Sequence, residues 1–451
     1  MKRETAMKKR RNGKLIRHLF NSSPEIAIMI FAGRVIADRR FLGKEKNRKH
    51  ALFLTSILEK KIISPDLTVA YAYSGNSTGF CMNDDVPCAV IAKRFGYSNE
   101  GFLIPNPYFH DPDFWEAVRI SIIQAATTRP FEERDSRVFW RGHVTNSYIS
   151  NLSQSFASEP CEDEHGNFAR LQALALSIQH PEYVDVKCWQ LQKCLNIRDD
   201  SVQQCPGLEY DKTMTAIRKE PELATHEGHV VKENFSKYKF LLNLPGSTQG
   251  SYSRNLNHLW ALGSVILFWK NTHKEWYYPA LKHMSTHLDV DYTSLIPILN
   301  SLSPSTIKNL RDGAYRIDQT FLCPICLAFY MRAVYDELVQ QFYSTRELDN
   351  PCTARHFFRT LNCSNLDLVL FLHNTRALSK FDLAHTPHAT SGNDLQHKTK
   401  DIHRRLSTLA PVKPLGNPGS CAGLVELASQ ACARKNNKNI LLTNAAVRRS
   451  L

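Results

Sequence analysis

Two short apolar runs place the tightest limit on what this chain can fold into. "KYKFLLNL" ends at Leu244, "SVILFW" begins at Ser264, and the stretch 245–263, "PGSTQGSYSRNLNHLWALG", lies between them. Neither run alternates with polar residues. A strand that is apolar at nearly every position must be covered on both faces, which is the habit of parallel sheets flanked by helices. The connecting stretch agrees: a Gly/Ser loop comes first, then helical spacing in "SRNLNHLWAL". The same alternation appears earlier. Residues 27–36 of "EIAIMIFAGRVIADRR" read as a strand, "KNRKHALFLTSILEKK" as a helix, and "LTVAYAYSG" and "PCAVIAKRF" as strands. "DFWEAVRISIIQAA" reads as an amphipathic helix with Asp113 as its cap. The chain is therefore expected to be α/β.

A length of 451 residues exceeds what one core usually serves, and the composition divides the chain. The expected organisation is a basic leader over 1–24, an N-terminal Rossmann-like domain over 25–130 and a C-terminal one over 131–317, with "RVFW" as the first strand of the latter. A closing helix over 318–345 and a basic, largely irregular tail over 346–451 complete it. The formal charge of +14 sits almost wholly in the two ends; residues 1–19 alone carry eight Lys/Arg against Glu4. Flexible basic tails on a nearly neutral body argue against a nucleic-acid channel, so no nucleic-acid partner is expected.

No run reaches the roughly 18–20 apolar residues needed to span a bilayer. The basic N-terminus resembles the front of a signal peptide, but residues 21–25 interrupt the apolar stretch that should follow, so no convincing signal peptide is read. Asn-x-Ser/Thr sequons stand at Asn21, Asn76, Asn151, Asn234 and Asn362. Cys323 and Cys326 form one Cys-x-x-Cys inside an apolar helical run, and no second pair stands at zinc-site spacing. They read as packing thiols.

The loop after "KFLLNL" is where chemistry is expected. A strand, a Gly/Ser loop and a helix start bring main-chain N–H groups together, and Arg254 adds a fork suited to phosphate oxygens. The segment "GSTQGSYSR" thus reads as a cradle for a phosphate or diphosphate, although it matches neither the P-loop nor the Gly-x-Gly-x-x-Gly pattern. Arg141 and Gly142 follow the apolar strand "VFW", at the strand end where parallel sheets bind ligands. Glu275 precedes an aromatic patch, "WYY", and a carboxylate so placed can accept two ribose hydroxyls.

In order, "PCAVIAKRFGYSNEGFLIPNPYF", "VFWRG", "ENFSKYKFLLNLPGSTQGSYSRNLNHLWALGSVILFW" and "EWYYPALKH" resemble the CAP10-like glycosyltransferases, the group that includes protein O-glucosyltransferases and lipopolysaccharide modifiers. The resemblance covers roughly residues 25–345. It implies a GT-B-like fold, two Rossmann-like domains facing across a cleft. It also implies transfer of a sugar, glucose or xylose, from a UDP-sugar to a hydroxyl of a protein or glycan acceptor, with inversion. The UDP-sugar would be a co-substrate, with no cofactor and no metal. It places the work in the lumen of the endoplasmic reticulum or Golgi. The donor set it implies is Arg141, Gly142, Gly246, Ser251, Tyr252, Arg254 and Glu275, the arginines holding the diphosphate and Glu275 the ribose.

The family's base is an aspartate after a strand of the first domain. Here Ser74, Gly75 and Asn76 stand where it would fall, and Asp84 and Asp85 are the nearest carboxylates downstream. The alternative expectation is a catalytically silent sugar-nucleotide or glycan-binding protein of the same fold.

Overall fold

In the computed structural model, residues 19–31, 33–60, 62–63, 67, 69–73, 87–94, 101–142, 167–189, 215, 219, 224–225, 230–245, 255–269, 273–342, 368–371 and 412–414 are described. They build two sheets with helices between and around them.

The first sheet departs from the parallel arrangement expected. Strand β1 (Ala27–Phe31) folds straight back on β2 (Arg34–Asp38), with Phe31 paired to Arg34. Gly33 adopts φ 70°, the left-handed value that so tight a turn requires and that glycine reaches without a Cβ penalty. The single strand read over 27–36 is therefore a hairpin. Helix α1 (Glu45–Glu59) follows, and β3 (Val69–Tyr73) then pairs antiparallel to β1. Only β4 (Cys88–Val90) and β6 (Phe102–Leu103) continue the sheet in parallel. Between them, β5 (Lys93–Arg94) leaves the sheet. Helix α2 (Pro112–Thr127) is capped by Asp111, whose carboxylate accepts the N–H groups of Asp113 and Phe114; the cap lies two residues before the one expected.

The second sheet is wholly parallel. Its elements are β7 (Asp135–Gly142), α3 (Asn167–Gln179), β8 (Val184–Trp189), β9 (Ala224–Thr225), β10 (Tyr238–Asn243), α4 (Leu256–Leu259), β11 (Val265–Trp269) and β13 (Leu288–Val290). The spatial order β13-β11-β10-β7-β8-β9 starts at β7, runs one way to β9, then returns to the other side for β10. That is the doubly wound order of dinucleotide-binding domains. The α/β class agrees with the sequence, and "RVFW" lies within β7. The short β12 (His273–Lys274) ties back to β5 as a separate antiparallel pair.

Side chains on successive strand positions divide between two cores, as a sheet covered on both faces requires. Val138, Trp140, Phe240, Leu242, Val265 and Leu267 pack into one. Phe139, Leu241, Ile266 and Phe268 point the other way and join a core that runs without a break into the first sheet.

Helix α5 (Pro304–Ile317), a π-helical turn (Asp318–Leu322) and α6 (Pro324–Phe342) then carry the chain back across the first sheet. The return is pinned by buried polar contacts. Arg119 makes a two-pronged ion pair with Asp318 at 2.9 and 2.6 Å. Trp115 Nε1 donates to the Leu322 carbonyl at 2.6 Å, and the Tyr335 hydroxyl meets that of Tyr71 at 2.9 Å. Two strands from the segment where the sequence suggested no element, β14 (Leu368–Phe371) and β15 (Val412–Pro414), extend the first sheet beyond β2.

Cysteine usage also differs from expectation. Cys323 and Cys326 are joined by a disulfide, and Cys88 and Cys188 are disulfide-bonded as well. Among the described residues, no helix is long and apolar enough to cross a membrane.

Candidate functional site

A doubly wound sheet opens a crevice where its strand order reverses, at the carboxyl ends of the two strands that part company. Here those strands are β7 and β10, so the crevice lies beyond Gly142 and Asn243. The cradle residues Gly246, Ser251, Tyr252 and Arg254 belong to the segment that follows β10 and lie outside the described residues, as do Asp84 and Asp85.

Gly142 has a packing reason. A Cβ at that position would come within 2.3 Å of the Trp140 indole, so the ring occupies the space a side chain would need.

Arg141 is placed differently from expectation. Its guanidinium lies 4.3 Å over the Phe139 ring and meets both carboxylate oxygens of Asp185, at 2.8 and 2.9 Å. It also donates to the carbonyls of Asp185 and Trp140. Asp185 sits opposite Phe139 in the strand register, two residues short of the partner of Arg141. The side chain therefore leans back towards the amino ends of the strands, away from the crevice. The Tyr238 hydroxyl donates to the same carboxylate at 3.0 Å, and burial together with this anion pushes that phenol up to about 12. Arg141, Asp185 and Tyr238 form a closed network, and the pairing across 44 residues leaves no trace in the local sequence.

Glu275 is brought to the interior. It is 1% exposed, and Oε2 accepts from Asn106 Nδ2 of the first sheet's domain at 3.2 Å. Among the described residues, Oε1 has no hydrogen-bond partner. Desolvation pushes its carboxyl up to about 8, so near neutrality it is largely protonated. Burial and the nearby Glu275 also drive the Tyr277 and Tyr278 hydroxyls well above their ordinary values.

Glu275 is one of a set of orphaned groups. Asn243 Oδ1, Asn257 Nδ2, Trp276 Nε1 and the Tyr278 hydroxyl are also buried without partners among the described residues. Asn243 closes β10 and Asn257 lies in α4, so these two flank the 246–254 segment on either side. The Tyr277 hydroxyl donates to Asn257 Oδ1 at 3.3 Å and links the Glu275 segment to α4. Folded proteins leave few buried polar groups unsatisfied, so each of these calls for a partner that the described residues do not supply.

Two cations that the sequence did not bring forward stand at the margins of the same segment. Lys232 Nζ donates to Asn255 Oδ1, at the residue directly after Arg254. Its ammonium is partly buried, has no salt bridge among the described residues, and is pushed down to about 8 by burial. Arg170, in the first turn of α3, reaches the Pro245 carbonyl at 2.9 Å and lies over the Trp140 ring. One expected contribution is weaker than foreseen. Helix α4 is four residues long, because the chain turns at Gly263 (φ 63°) to enter β11, so its dipole is slight. Anion binding here would fall to main-chain amides and side chains.

No protein-family model matches the chain, and no curated protein matches it. Among solved structures, it is similar to a glycosyltransferase from Rickettsia africae ESF-5, at 8% identity over 51% of this chain and 53% of that one, with a TM-score of 0.26. It is also similar to the pneumococcal O-GlcNAc transferase GtfA in complex with UDP and GlcNAc, at 10% identity over 56% and 52%, with a TM-score of 0.27. The match spans about half the length of each of these proteins. Likeness this slight carries no argument about the activity of this chain, which has to come from its own sheet order and buried polar groups.

Proposed function

We infer that the chain is a glycosyltransferase of GT-B-like build. It binds a UDP-sugar at the crevice between β7 and β10 and transfers the sugar to a hydroxyl of a protein or glycan, with inversion. The observation that carries this reading is the group of orphaned polar atoms at Asn243, Asn257 and Glu275 beside the switch point. In this reading Glu275 accepts the ribose hydroxyls. Main-chain amides of 246–254, the Ser251 hydroxyl and Tyr252, with Arg254 and Lys232, surround the diphosphate and need no divalent ion to balance its charge. Arg141 serves instead by holding β7 and β8 in register. Glucose or xylose is the sugar suggested by the resemblance, and Asp84 or Asp85 is the proposed base. Disulfides at Cys88, Cys188 and Cys323–Cys326 favour an oxidising compartment, in keeping with the lumen of the endoplasmic reticulum or Golgi.

The test is calorimetric titration with UDP in buffers of differing ionisation enthalpy. Ribose hydroxyls that donate to Glu275 favour its ionised form, so UDP should bind with release of a proton near pH 7. Glu275→Gln should abolish that release and weaken UDP more than inorganic diphosphate. Absence of UDP binding by the wild type would remove the reading.

A second reading is a silent sugar-nucleotide-binding protein. It is favoured by Ser74, Gly75 and Asn76, none of which can take a proton where the family's aspartate would stand. UDP binding without turnover of any UDP-sugar, unchanged in an Asp84→Asn/Asp85→Asn double variant, would select it.

A further inference from the structure

The disulfide between Cys323 and Cys326 spans only three positions, and it sits at the mouth of the 19-residue helix α6. So small a loop removes little freedom from the unfolded chain, so the bridge contributes little by constraint. Nor is it needed to place the helix. The Arg119–Asp318 pair, the Trp115–Leu322 bond, the Tyr335–Tyr71 contact and a bond from the Tyr330 hydroxyl to the Leu103 carbonyl already hold this region. Cys323 and Cys326 are both partly exposed, whereas Cys88 and Cys188 are buried at 5% and 1%.

The two sulfurs have unlike surroundings. Cys323 stands directly before the first residue of α6, and its Sγ accepts the Cys326 N–H at 3.1 Å. A thiolate there would be favoured by that N–H and by the positive end of a long helix. Cys326 Sγ lies 3.3 Å from the Gln319 carbonyl, an acceptor that favours the protonated thiol. Beside them, Ile325 and Phe329 are 47% and 54% exposed, one helical turn apart, and offer an apolar surface to a peptide.

We propose that Cys323-Pro324-Ile325-Cys326 is a thiol–disulfide exchange site whose substrate is a peptide or protein dithiol. A substrate thiolate attacks Cys323 Sγ, the bond to Cys326 breaks, and Cys326 leaves as a thiolate that takes up a proton. The substrate's second thiolate then attacks its own sulfur in the mixed disulfide and releases Cys323 as the stabilised thiolate. The substrate loses two electrons and gains a disulfide, and the protein's bridge becomes two thiols. Glutathione disulfide restores it. None of this depends on what the crevice binds.

The experiment mixes the oxidised full chain with a fluorescent dithiol peptide and follows peptide oxidation over a single turnover. The wild type should act on the order of tenfold or more faster than Cys323→Ser/Cys326→Ser. In parallel, alkylation mapping across glutathione redox buffers should show this pair opening and closing reversibly while Cys88 and Cys188 remain oxidised. This readout needs no variant, so a folding defect in the double variant cannot mask the result. Equal peptide oxidation by wild type and double variant, or opening of the pair only together with Cys88 and Cys188, overturns the proposal.

Discussion

A buried carboxyl with one oxygen unanswered makes Glu275 sensitive to both pH and ligand. Its folded value is near 8 and its ordinary value is 4.5, so the folded state holds a proton that the unfolded chain has lost. Its contribution to stability is full below the ordinary value and drains away as pH rises through 8. At about 1.36 kcal/mol per unit, the span is roughly 5 kcal/mol at its limit. Denaturation midpoints measured from pH 5 to 8.5 should fall steeply for the wild type and more gently for Glu275→Gln. Arg141 should behave in the opposite way from a ligand-binding residue. Arg141→Ala leaves the buried Asp185 without a counter-charge and with only the Tyr238 hydroxyl as donor, and chemical denaturation should show a loss of about 3–5 kcal/mol, while the UDP affinity of the folded variant stays at the wild-type level. Lys232→Ala should instead weaken UDP by about 1.5–3 kcal/mol, as loss of a charge-assisted bond does, with wild-type stability by the same denaturation assay.

At the scale of elements, local pattern and tertiary partnership part ways. "KFLLNL", "SVILFW" and "DFWEAVRISIIQAA" were legible because a doubly covered strand and an amphipathic helix write their burial into successive residues. Glu275 drew notice in the sequence as a carboxylate ahead of an aromatic run, but its burial against Asn106, 169 residues away, could not be read there. The hairpin of β1 and β2 was not legible, since the middle of each strand is apolar and only two small residues, Ala32 and Gly33, stand between them. The partners Asp185 and Asn255 were equally hidden, because they lie far along the chain from Arg141 and Lys232, and no spacing rule connects them. Gly313 supplies a test at this scale. In an isolated helix, Gly→Ala stabilises by about 1 kcal/mol. In α5, however, a Cβ at position 313 would fall 1.8 Å from the Ser285 carbonyl oxygen. Gly313→Ala should therefore destabilise by about 1–3 kcal/mol through overpacking, and a thermal melt that shifts upward would contradict the packing of α5 against that turn.

For the whole molecule, the decisive feature is the core that passes unbroken from the first sheet to one face of the second. Halves joined by an extensive apolar contact melt together, whereas loosely tethered domains melt apart. Calorimetry should record one cooperative transition. Asp318→Ala, which leaves the buried Arg119 only its pair with Glu116, should lower its midpoint without splitting it. The same continuity bears on how a guest could enter and leave. Many two-lobed proteins breathe by swinging one lobe about a hinge, which demands a seam that parts cheaply. Here the seam is welded with Trp, Tyr and Leu side chains, and swinging it wide would expose the interior of the whole body. Admission must then be governed at the rim, and scattering profiles of the empty and UDP-saturated protein should superimpose.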